Sequence, residues 1–264
     1  MKNLFKSGYR RLKYYSEMLG IYTAKGLIRK INYDGAKFKV SVNSKIELYN
    51  RARDFDAEKV TMYWIENIIR DGDTVFDIGA NVGIYSLLIA AKNKNSTIYS
   101  FEPEAGNFYK LNKNISLNCF TNMIPFPIAL GGQTGLTNFY VSSEEFGSAT
   151  HSVNEPFSDG LFFKPKRIQG ISSYTLPELT RLLEPVFPNH IKIDVDGYET
   201  KIIEASRNVL SDNRLKSIMI EVSHNISKGT TERIIAGSNF KEVKRETWNN
   251  GNGDISNILF LKQN

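Results

Sequence analysis

The residues best suited to chemistry in this sequence are a short glycine-containing segment and a carboxylate that follows it. Asp77, Gly79, Asn81 and Gly83 come directly after an apolar run, and Glu102 lies 25 residues beyond Asp77. Glycine permits a sharp turn and close backbone approach to a ligand, and an acidic residue at the end of the next strand suits ribose hydroxyls. The segment therefore predicts binding of an adenosine-containing cofactor.

A second group of polar residues follows two later apolar runs. Asp194, Asp196 and Glu221 would place three carboxylates at or near neighbouring strand ends. Such a group is a candidate Mg²⁺ site, because Mg²⁺ prefers oxygen ligands. Two alternatives stay open: strand-end carboxylates also pair with Lys or Arg, and Asp194 and Asp196 precede a helix expected from Tyr198, which they would cap.

Alternating strands and helices must position these residues. Apolar periodicity predicts strands at 74–78, 97–102, 121–128, 136–141, 190–195 and 217–222, and helices at 83–92, 104–117, 176–184 and 198–208. The order predicts a doubly wound, Rossmann-like α/β fold with a parallel sheet. Two runs near the C-terminus, at 240–244 and 257–262, flank a Gly/Asn-rich turn and predict an antiparallel β-hairpin at one sheet edge.

The net positive charge of the chain is concentrated near the N-terminus. Residues 1–31 carry eight basic residues and Glu17, a net of 8 − 1 = +7, whereas the remainder is 26 − 27 = −1. The apolar residues in this segment favour either a basic helix packed on the domain or an amphipathic helix in peripheral contact with anionic membrane. A protein-wide basic field, the usual footprint of nucleic acid binding, is absent.

Residues 1–55 are thus predicted as a basic N-terminal extension with a helix and a small hairpin, from strands at 38–42 and 45–49. Residues 56–264 are predicted as the main domain, beginning with a helix over 56–70. Within it, segment 142–170 has the least regular pattern, and we expect it to contact the substrate or to be disordered.

Composition limits the classes of protein. Hydrophobic residues make up 41% and charged residues 23%, which is ordinary for a globular protein. Cys119 is the only cysteine, so the chain holds no disulfide of its own, and a reducing compartment is favoured. No apolar run suits a membrane span or a signal peptide, and the expected location is cytoplasmic, with the N-terminal segment as a candidate membrane contact.

The glycine segment does not match a nicotinamide-binding fingerprint. The pattern G-x-G-x-x-G requires glycine where Asn81 and Ile84 stand. A hydride-transferring enzyme is therefore disfavoured.

Four motifs in order identify a better match. They are Asp77 to Gly83 (D-x-G-A-N-x-G), Phe101 to Pro103 (F-E-P), Ala129 to Gly131 (A-L-G), and Lys192 to Glu199 (K-I-D-x-D-G-x-E). From about Asp56 to Lys262 the chain resembles the FkbM family of methyltransferases, which have a class I methyltransferase sheet. Asp196 is the visible departure, because the family commonly has Glu there, and the shorter side chain keeps the charge but changes its reach.

The resemblance implies transfer of the methyl group of S-adenosylmethionine to a hydroxyl oxygen of a glycan or secondary metabolite. It implies that Asp77, Gly79, Asn81 and Gly83 shape the cofactor turn, that Glu102 binds ribose hydroxyls, and that Ala129 and Leu130 border the adenine. An alcohol acceptor must lose its proton during or after attack. Asp194 is the expected base or acceptor-orienting group, and His224 is the alternative base.

The motifs of nucleic acid methyltransferases do not match these residues. Methylation of base amino groups commonly uses [DN]-P-P-[YW] after the fourth strand, where this chain has Asp194-Val-Asp-Gly. Cytosine C5 methylation needs a nucleophilic cysteine, and Cys119 is poorly placed. No nucleic acid partner is expected. A cofactor-binding protein without catalysis, tethered to membrane or to a complex through residues 1–31, remains the alternative.

Overall fold

The computed structural model describes residues 13, 15–19, 26–52, 58–158 and 160–263. The strands are β1 (Leu27–Tyr33), β2 (Ala36–Val42), β3 (Thr74–Ile78), β4 (Thr97–Phe101), β5 (Met123–Phe126), β6 (Ala129–Leu130), β7 (Gly135–Val141), β8 (Ser152–Val153), β9 (Phe157–Ser158), β10 (Leu161–Phe162), β11 (Arg167–Tyr174), β12 (His190–Ile193), β13 (Ser217–Ser223), β14 (Phe240–Asn249) and β15 (Asp254–Lys262).

The helices are α1 (Lys59–Asn67), α2 (Ile84–Lys92), α3 (Ala105–Asn118), α4 (Leu176–Leu182), α5 (Glu199–Ala205), α6 (Arg207–Ser211), α7 (His224–Ser227) and α8 (Thr230–Gly237), with a π-helical turn at Glu47–Arg51. In the part of the chain described, no helix is long and apolar enough to cross a membrane.

The central sheet has seven strands in the order β14-β15-β13-β12-β3-β4-β5. The five strands from β13 to β5 are parallel, and β15 pairs antiparallel with both β13 and β14. Parallel central strands are covered on both faces, which is why nearly every residue of β3, β12 and β13 is buried. The doubly wound α/β fold and the antiparallel C-terminal hairpin predicted from the sequence are both confirmed.

Helices cover both faces of this sheet. Trp64 of α1, Leu87 of α2 and Leu111 of α3 are buried in one core. Leu179 of α4 and Ile203 of α5 belong to a second core on the other face. The strand order reverses between β3 and β12, and the carboxyl ends of strands at such a switch point frame the ligand crevice of open α/β sheets.

Several sequence predictions need correction beyond the central sheet. The predicted strand at 136–141 forms β7, but it lies in a separate sheet with order β6-β11-β7-β8. The strand β11 was missed because its residues alternate between half-buried and exposed positions and include Gly170, a weak strand former. Segment 142–170 is accordingly more regular than predicted, since it contains β8, β9, β10 and the start of β11.

The predicted N-terminal hairpin exists but uses different strands. β1 pairs with β2 around the two-residue turn Asp34-Gly35, a strong hairpin signal that the sequence prediction overlooked. The run at 45–49, predicted as the second strand, is helical because Ser44 and Glu47 form a capping box: Ser44 Oγ accepts the Glu47 backbone N–H at 2.9 Å, and Glu47 Oε2 accepts the Ser44 backbone N–H at 3.1 Å. Likewise, the helix predicted over 198–208 is divided at Ser206, and α7 and α8 had not been predicted.

The predicted domain boundary at residue 55 falls in 53–57, outside the described residues, as does most of the basic segment 1–31. The division therefore stays a prediction. The C-terminal part of the predicted extension 1–55 contacts the main domain. Asn114 of α3 accepts a hydrogen bond from the Ser41 backbone N–H at 2.8 Å, and Lys110 of α3 forms a fully buried ion pair with Glu47.

Candidate active site

A cleft of about 680 Å³ lies at the carboxyl edge of the sheet, beside the switch point between β3 and β12. The lining residues come from the end of β3 and its glycine turn, from the ends of β4 and β12, from α3, from β6 and β7, from segment 142–170 and from the π-helical turn. They are Arg51, Ile78, Gly79, Asn81, Phe101, Glu102, Pro103, Asn107, Ile128, Ala129, Leu130, Phe139, Ser148, Ala149, His151, Val153, Asp194, Val195, Asp196 and Tyr198.

The turn after β3 depends on glycine for a steric reason. Gly79 has φ +81°, and a Cβ placed there would lie 1.9 Å from the Asp194 backbone oxygen. Gly83 also has positive φ, and its Cβ would meet the Leu111 side chain at 2.4 Å. The sequence prediction that glycines shape this turn thus has a structural basis, because any side chain at Gly79 would separate β3 from β12.

Asn81 joins the turn to segment 142–170. Its side-chain N–H donates to the Ser148 carbonyl at 2.7 Å, and its Oδ1 accepts from the Val82 backbone N–H at 2.9 Å. Asn107 donates to the same Ser148 carbonyl at 3.1 Å. The segment expected to contact substrate is therefore held directly above the cofactor turn.

Glu102 lies at the end of β4 with its carboxylate in the cleft. Its two oxygens accept backbone N–H groups from Asn81 and Glu104, both at 2.8 Å. Burial raises the pKa of Glu102 to about 8, against the effect of these two hydrogen bonds. Each carboxylate oxygen has a second lone-pair site, so the group can still accept hydroxyl hydrogen bonds from a ligand.

Asp77 does not line the cleft. It is 2% exposed beneath the turn, where it accepts a hydrogen bond from the Ser86 hydroxyl at 2.5 Å. Its other oxygen has no hydrogen-bond partner in the described structure, and burial raises its pKa, with Lys192 acting in the opposite direction. The position supports a role in shaping the turn from below, and direct contact with a ligand is not evident.

Apolar residues form part of the cleft lining. Ala129 and Leu130, the residues expected beside adenine, both line the cleft together with Phe101, Ile128 and Phe139. Ala129 and Leu130 constitute β6, which pairs with the end of β11. Apolar side chains beside a carboxylate that can accept hydroxyls are a combination that suits a nucleoside.

Asp194 follows β12 and lines the cleft. Its Oδ2 accepts a hydrogen bond from Lys192 Nζ at 2.6 Å. Burial opposes ionisation of Asp194, but Lys192 outweighs it, and the pKa of Asp194 lies below its usual value. Despite its own burial, the pKa of Lys192 is raised by Asp194 and Asp77. The pair is therefore ionised, and Asp194 presents a carboxylate to the cleft.

Asp196 holds segment 142–170 and does not cap a helix. Its carboxylate accepts the Thr150 backbone N–H at 2.7 Å, and its carbonyl accepts the Ser158 hydroxyl at 3.0 Å. The helix α5 begins without a side-chain cap. Instead, Glu199 accepts the Val195 and Gly197 N–H groups at 3.1 and 3.0 Å. The helix-cap alternative for Asp194 and Asp196 is thus wrong.

His151 lies in the cleft wall but is poorly suited to be a base. Its Nδ1 accepts the Ser142 backbone N–H at 3.1 Å, which assigns the proton to Nε2, where the Ser148 hydroxyl lies 3.1 Å away. Burial lowers the pKa of His151 to about 4. The imidazole is therefore neutral, with both nitrogens engaged in holding the loop.

The remaining predicted catalytic and metal residues, His224 and Glu221, do not line the cleft. His224 begins α7, where its Nε2 is 2.7 Å from the Ser256 hydroxyl, and it is not among the residues that line the cleft. Within the described ranges, no three His, Cys, Asp or Glu side chains lie close enough to hold a metal ion. The predicted Mg²⁺ site at Asp194, Asp196 and Glu221 therefore gains no support.

Sequence reasoning missed several lining residues. Arg51, Asn107, Phe139 and Ser148 belong to no motif, and only tertiary contacts bring them to the cleft. Tyr198 stands within the Lys192 to Glu199 motif and could have been noticed there; its hydroxyl accepts from Asn154 Nδ2 at 2.9 Å.

Two methyltransferases are similar to this chain in sequence. The chain is 23% identical over 210 residues to the hexuronic acid methyltransferase AglP of Haloferax volcanii, covering 80% of each chain. It is 26% identical over 140 residues to a tRNA1(Val) (adenine(37)-N6)-methyltransferase of Dyadobacter fermentans, covering 48% of this chain and 53% of that protein.

Solved structures give weaker similarities. A precorrin-6y C5,15-methyltransferase from Geobacter metallireducens shares 13% identity at a TM-score of 0.47, covering 78% of this chain and 86% of the other. TYW2 from P. horikoshii, crystallised with MeSAdo, shares 15% identity at a TM-score of 0.48, covering 100% and 86%. Values this low carry no argument about activity, and the fold class rests on the strand order.

The family comparison is decisive. The model of the methyltransferase FkbM domain matches residues 77–252, which is more than half of the chain and includes the glycine turn, Glu102 and the Asp194 strand end. The chain therefore belongs to the FkbM family of methyltransferases.

Proposed function

We propose that this protein transfers the methyl group of S-adenosylmethionine to a hydroxyl oxygen of a sugar in a glycan. The observation that carries the proposal is the ionised carboxylate of Asp194, which shares one cleft with Glu102 and the glycine turn. The similarity to a hexuronic acid methyltransferase supports a sugar acceptor over other alcohols. A secondary metabolite with a comparable hydroxyl is the second acceptor class.

The residues present suit the cofactor. Glu102 would accept ribose hydroxyls, Ala129 and Leu130 would pack against the adenine, and the turn at Gly79 lets the backbone approach closely. When bound, S-adenosylmethionine supplies an electrophilic methyl group on a sulfonium and leaves as a neutral thioether.

Asp194 would orient the acceptor hydroxyl and take its proton as the new oxygen–carbon bond forms. Its lowered pKa makes it a weak base, so most of its contribution would come from positioning and from accepting the proton as charge leaves the oxygen. Lys192 keeps this carboxylate ionised and oriented. The loop held by Asp196 and Asn81 would limit access of water to the reacting atoms.

The test is incubation of the purified protein with S-adenosylmethionine labelled with ¹³C in the methyl group and a panel of neutral and acidic glycosides. Product NMR distinguishes a methyl ether from a methyl ester, and only the ester is cleaved by mild alkali. An alkali-stable ether that disappears in Asp194→Asn supports the proposal.

Other products have definite meanings. An ester would move the reaction to a carboxyl oxygen, and an N-methyl product on RNA would replace the acceptor class. Binding of S-adenosylhomocysteine without transfer to any acceptor would instead favour the non-catalytic alternative.

A further inference from the structure

Arg51 is a basic side chain in the cleft that the proposed reaction does not yet use. It ends the π-helical turn Glu47–Arg51, and its Nε donates to the Gly147 carbonyl at 2.9 Å. This hydrogen bond attaches the Nε end of the guanidinium to segment 142–170 and does not use the two terminal nitrogens. In the described part of the chain, Nη1 and Nη2 have no hydrogen-bond or ion-pair partner.

The electrostatic setting singles out this residue. Of the described residues that line the cleft, Arg51 alone carries a fixed positive charge, whereas Glu102, Asp194 and Asp196 are acidic. Lys192 lies nearby but is 3% exposed and paired with Asp194. Arg51 is close enough to Asp194 to contribute to the lowered pKa of that carboxyl, after burial and Lys192. A ligand anion in this cleft therefore has Arg51 as its available partner.

The chemistry of the guanidinium defines the ligand group. Two parallel N–H donors in a rigid plane match the two oxygens of a carboxylate, and such charge-assisted pairs are stronger than neutral hydrogen bonds. The Nε contact with Gly147 fixes the plane in advance, which reduces the entropy lost on binding.

We propose that Arg51 binds a carboxylate of a ligand in this cleft through its terminal nitrogens. The inference rests on the proposed function and deepens it, because that reaction offers two sources of a carboxylate: the amino-acid end of the cofactor, and an acidic sugar acceptor such as a hexuronic acid. Both present the same planar anion, and binding measurements separate them.

The first arm concerns the cofactor. S-adenosylhomocysteine has the amino-acid end, and 5′-methylthioadenosine lacks it. If Arg51 binds the cofactor carboxylate, calorimetry of Arg51→Gln should show about ten- to a hundredfold weaker S-adenosylhomocysteine binding with unchanged 5′-methylthioadenosine binding.

The second arm concerns the acceptor. Protein saturated with S-adenosylhomocysteine is titrated with the methyl glycosides of glucuronic acid and glucose and followed by ligand-observed NMR. If Arg51 binds the acceptor, Arg51→Gln should weaken the glucuronide about tenfold or more and leave the glucoside unchanged.

Two control variants complete the design. Arg51→Lys keeps the charge without the planar fork and should restore part of the lost affinity. Arg181→Gln removes an exposed arginine that pairs with Glu178 and does not line the cleft, and it should change neither comparison. Thermal unfolding verifies that each variant is folded.

The outcomes that overturn the inference differ from those that overturn the function. If Arg51→Gln weakened S-adenosylhomocysteine and 5′-methylthioadenosine binding equally, and glucuronide and glucoside binding equally, Arg51 would act only by holding Gly147. No change in either pair would mean that Arg51 binds no carboxylate. If the wild-type protein failed to bind S-adenosylhomocysteine, the proposed function would fail first, and the inference with it.

Discussion

Lys192 Nζ lies 2.6 Å from Asp194 Oδ2, so two residues two positions apart, on the same side of β12 and its extension, form the ion pair at the floor of the cleft. Alternation along a strand places i and i+2 on one face, which makes the pairing a local consequence of the K-I-D sequence. The burial that strengthens this ion pair depends on the tertiary structure and is not encoded locally. The side chain of Lys192 is 4% exposed and also lies 5.2 Å from the Tyr85 ring centroid.

Removing Lys192 should therefore change the titration of Asp194. In Lys192→Met, burial would no longer be opposed, and the pKa of Asp194 should rise. The expected result is that the acid limb of the pH dependence of kcat moves to higher pH by about one unit or more. Lys201→Met, at an exposed site, is the control. An unmoved acid limb would show that Asp194 does not titrate in catalysis.

Asp194→Asn should spare cofactor binding and reduce turnover. The amide is nearly isosteric but cannot accept a proton, and general-base contributions are on the order of 10²–10⁴-fold. The measurements are calorimetric titration with S-adenosylhomocysteine and kcat with the best acceptor. Loss of binding in a folded variant would make Asp194 a cofactor-binding or structural residue.

Glu102 should make ligand affinity depend on pH. Its pKa of about 8 means that the unliganded carboxyl is largely protonated at neutral pH, whereas ribose hydroxyls are best accepted by the ionised form. Affinity should therefore rise, tenfold or more, between about pH 6 and about pH 9. The ligand should be 5′-methylthioadenosine, because it has no amino-acid end to titrate.

The matched variants for this prediction are Glu102→Gln and Glu102→Ala. Both should bind the nucleoside more weakly, by about 1–3 kcal/mol at the upper end of the pH range, and both should show a flat pH profile. A wild-type profile as flat as that of Glu102→Gln would argue against hydroxyl binding by this carboxylate.

Gly79→Ala should destabilise the fold. The added Cβ would lie 1.9 Å from the Asp194 carbonyl oxygen, and the backbone has φ +81°. Clash and strain together should lower the free energy of unfolding by at least about 2 kcal/mol. Gly170→Ala is the control, because a Cβ there meets no atom within 4 Å, and a change within roughly 0.5 kcal/mol is expected. Similar urea midpoints for both variants would contradict the steric account.

His151 should contribute to loss of stability in acid. Its pKa of about 4 in the folded protein is below the unfolded value of about 6.5, so the unfolded state binds the proton first. The contribution is present above about pH 6.5 and is lost as the pH falls towards 4, by up to ~3 kcal/mol. The loss should be smaller in His151→Asn. If the free energy of unfolding fell in parallel for the wild type and His151→Asn between about pH 6.5 and about pH 4, this role of His151 would be refuted.

The sequence alone determined the parts of this protein that depend on neighbouring residues. Asp77, Gly79 and Gly83 specify a strand, a turn and a helix within one short segment, and Glu102 follows at the next strand end. The central strands are buried on both faces, so their apolar runs are readable, and parallel connection then brings their carboxyl ends to one edge. The cofactor turn and the position of Asp194 follow from these local rules.

The tertiary structure decided what depends on distant contacts. Arg51 and Gly147 are 96 positions apart, and only packing of the N-terminal hairpin on α3 brings that arginine into the cleft. The buried ion pair between Lys110 and Glu47 likewise joins residues 63 positions apart, although the helical turn at Glu47 itself follows from the local Ser44/Glu47 capping box. Charges buried at long range respond to solvent exclusion and to partners that no local pattern encodes, which is the physical reason why the sequence left them unseen.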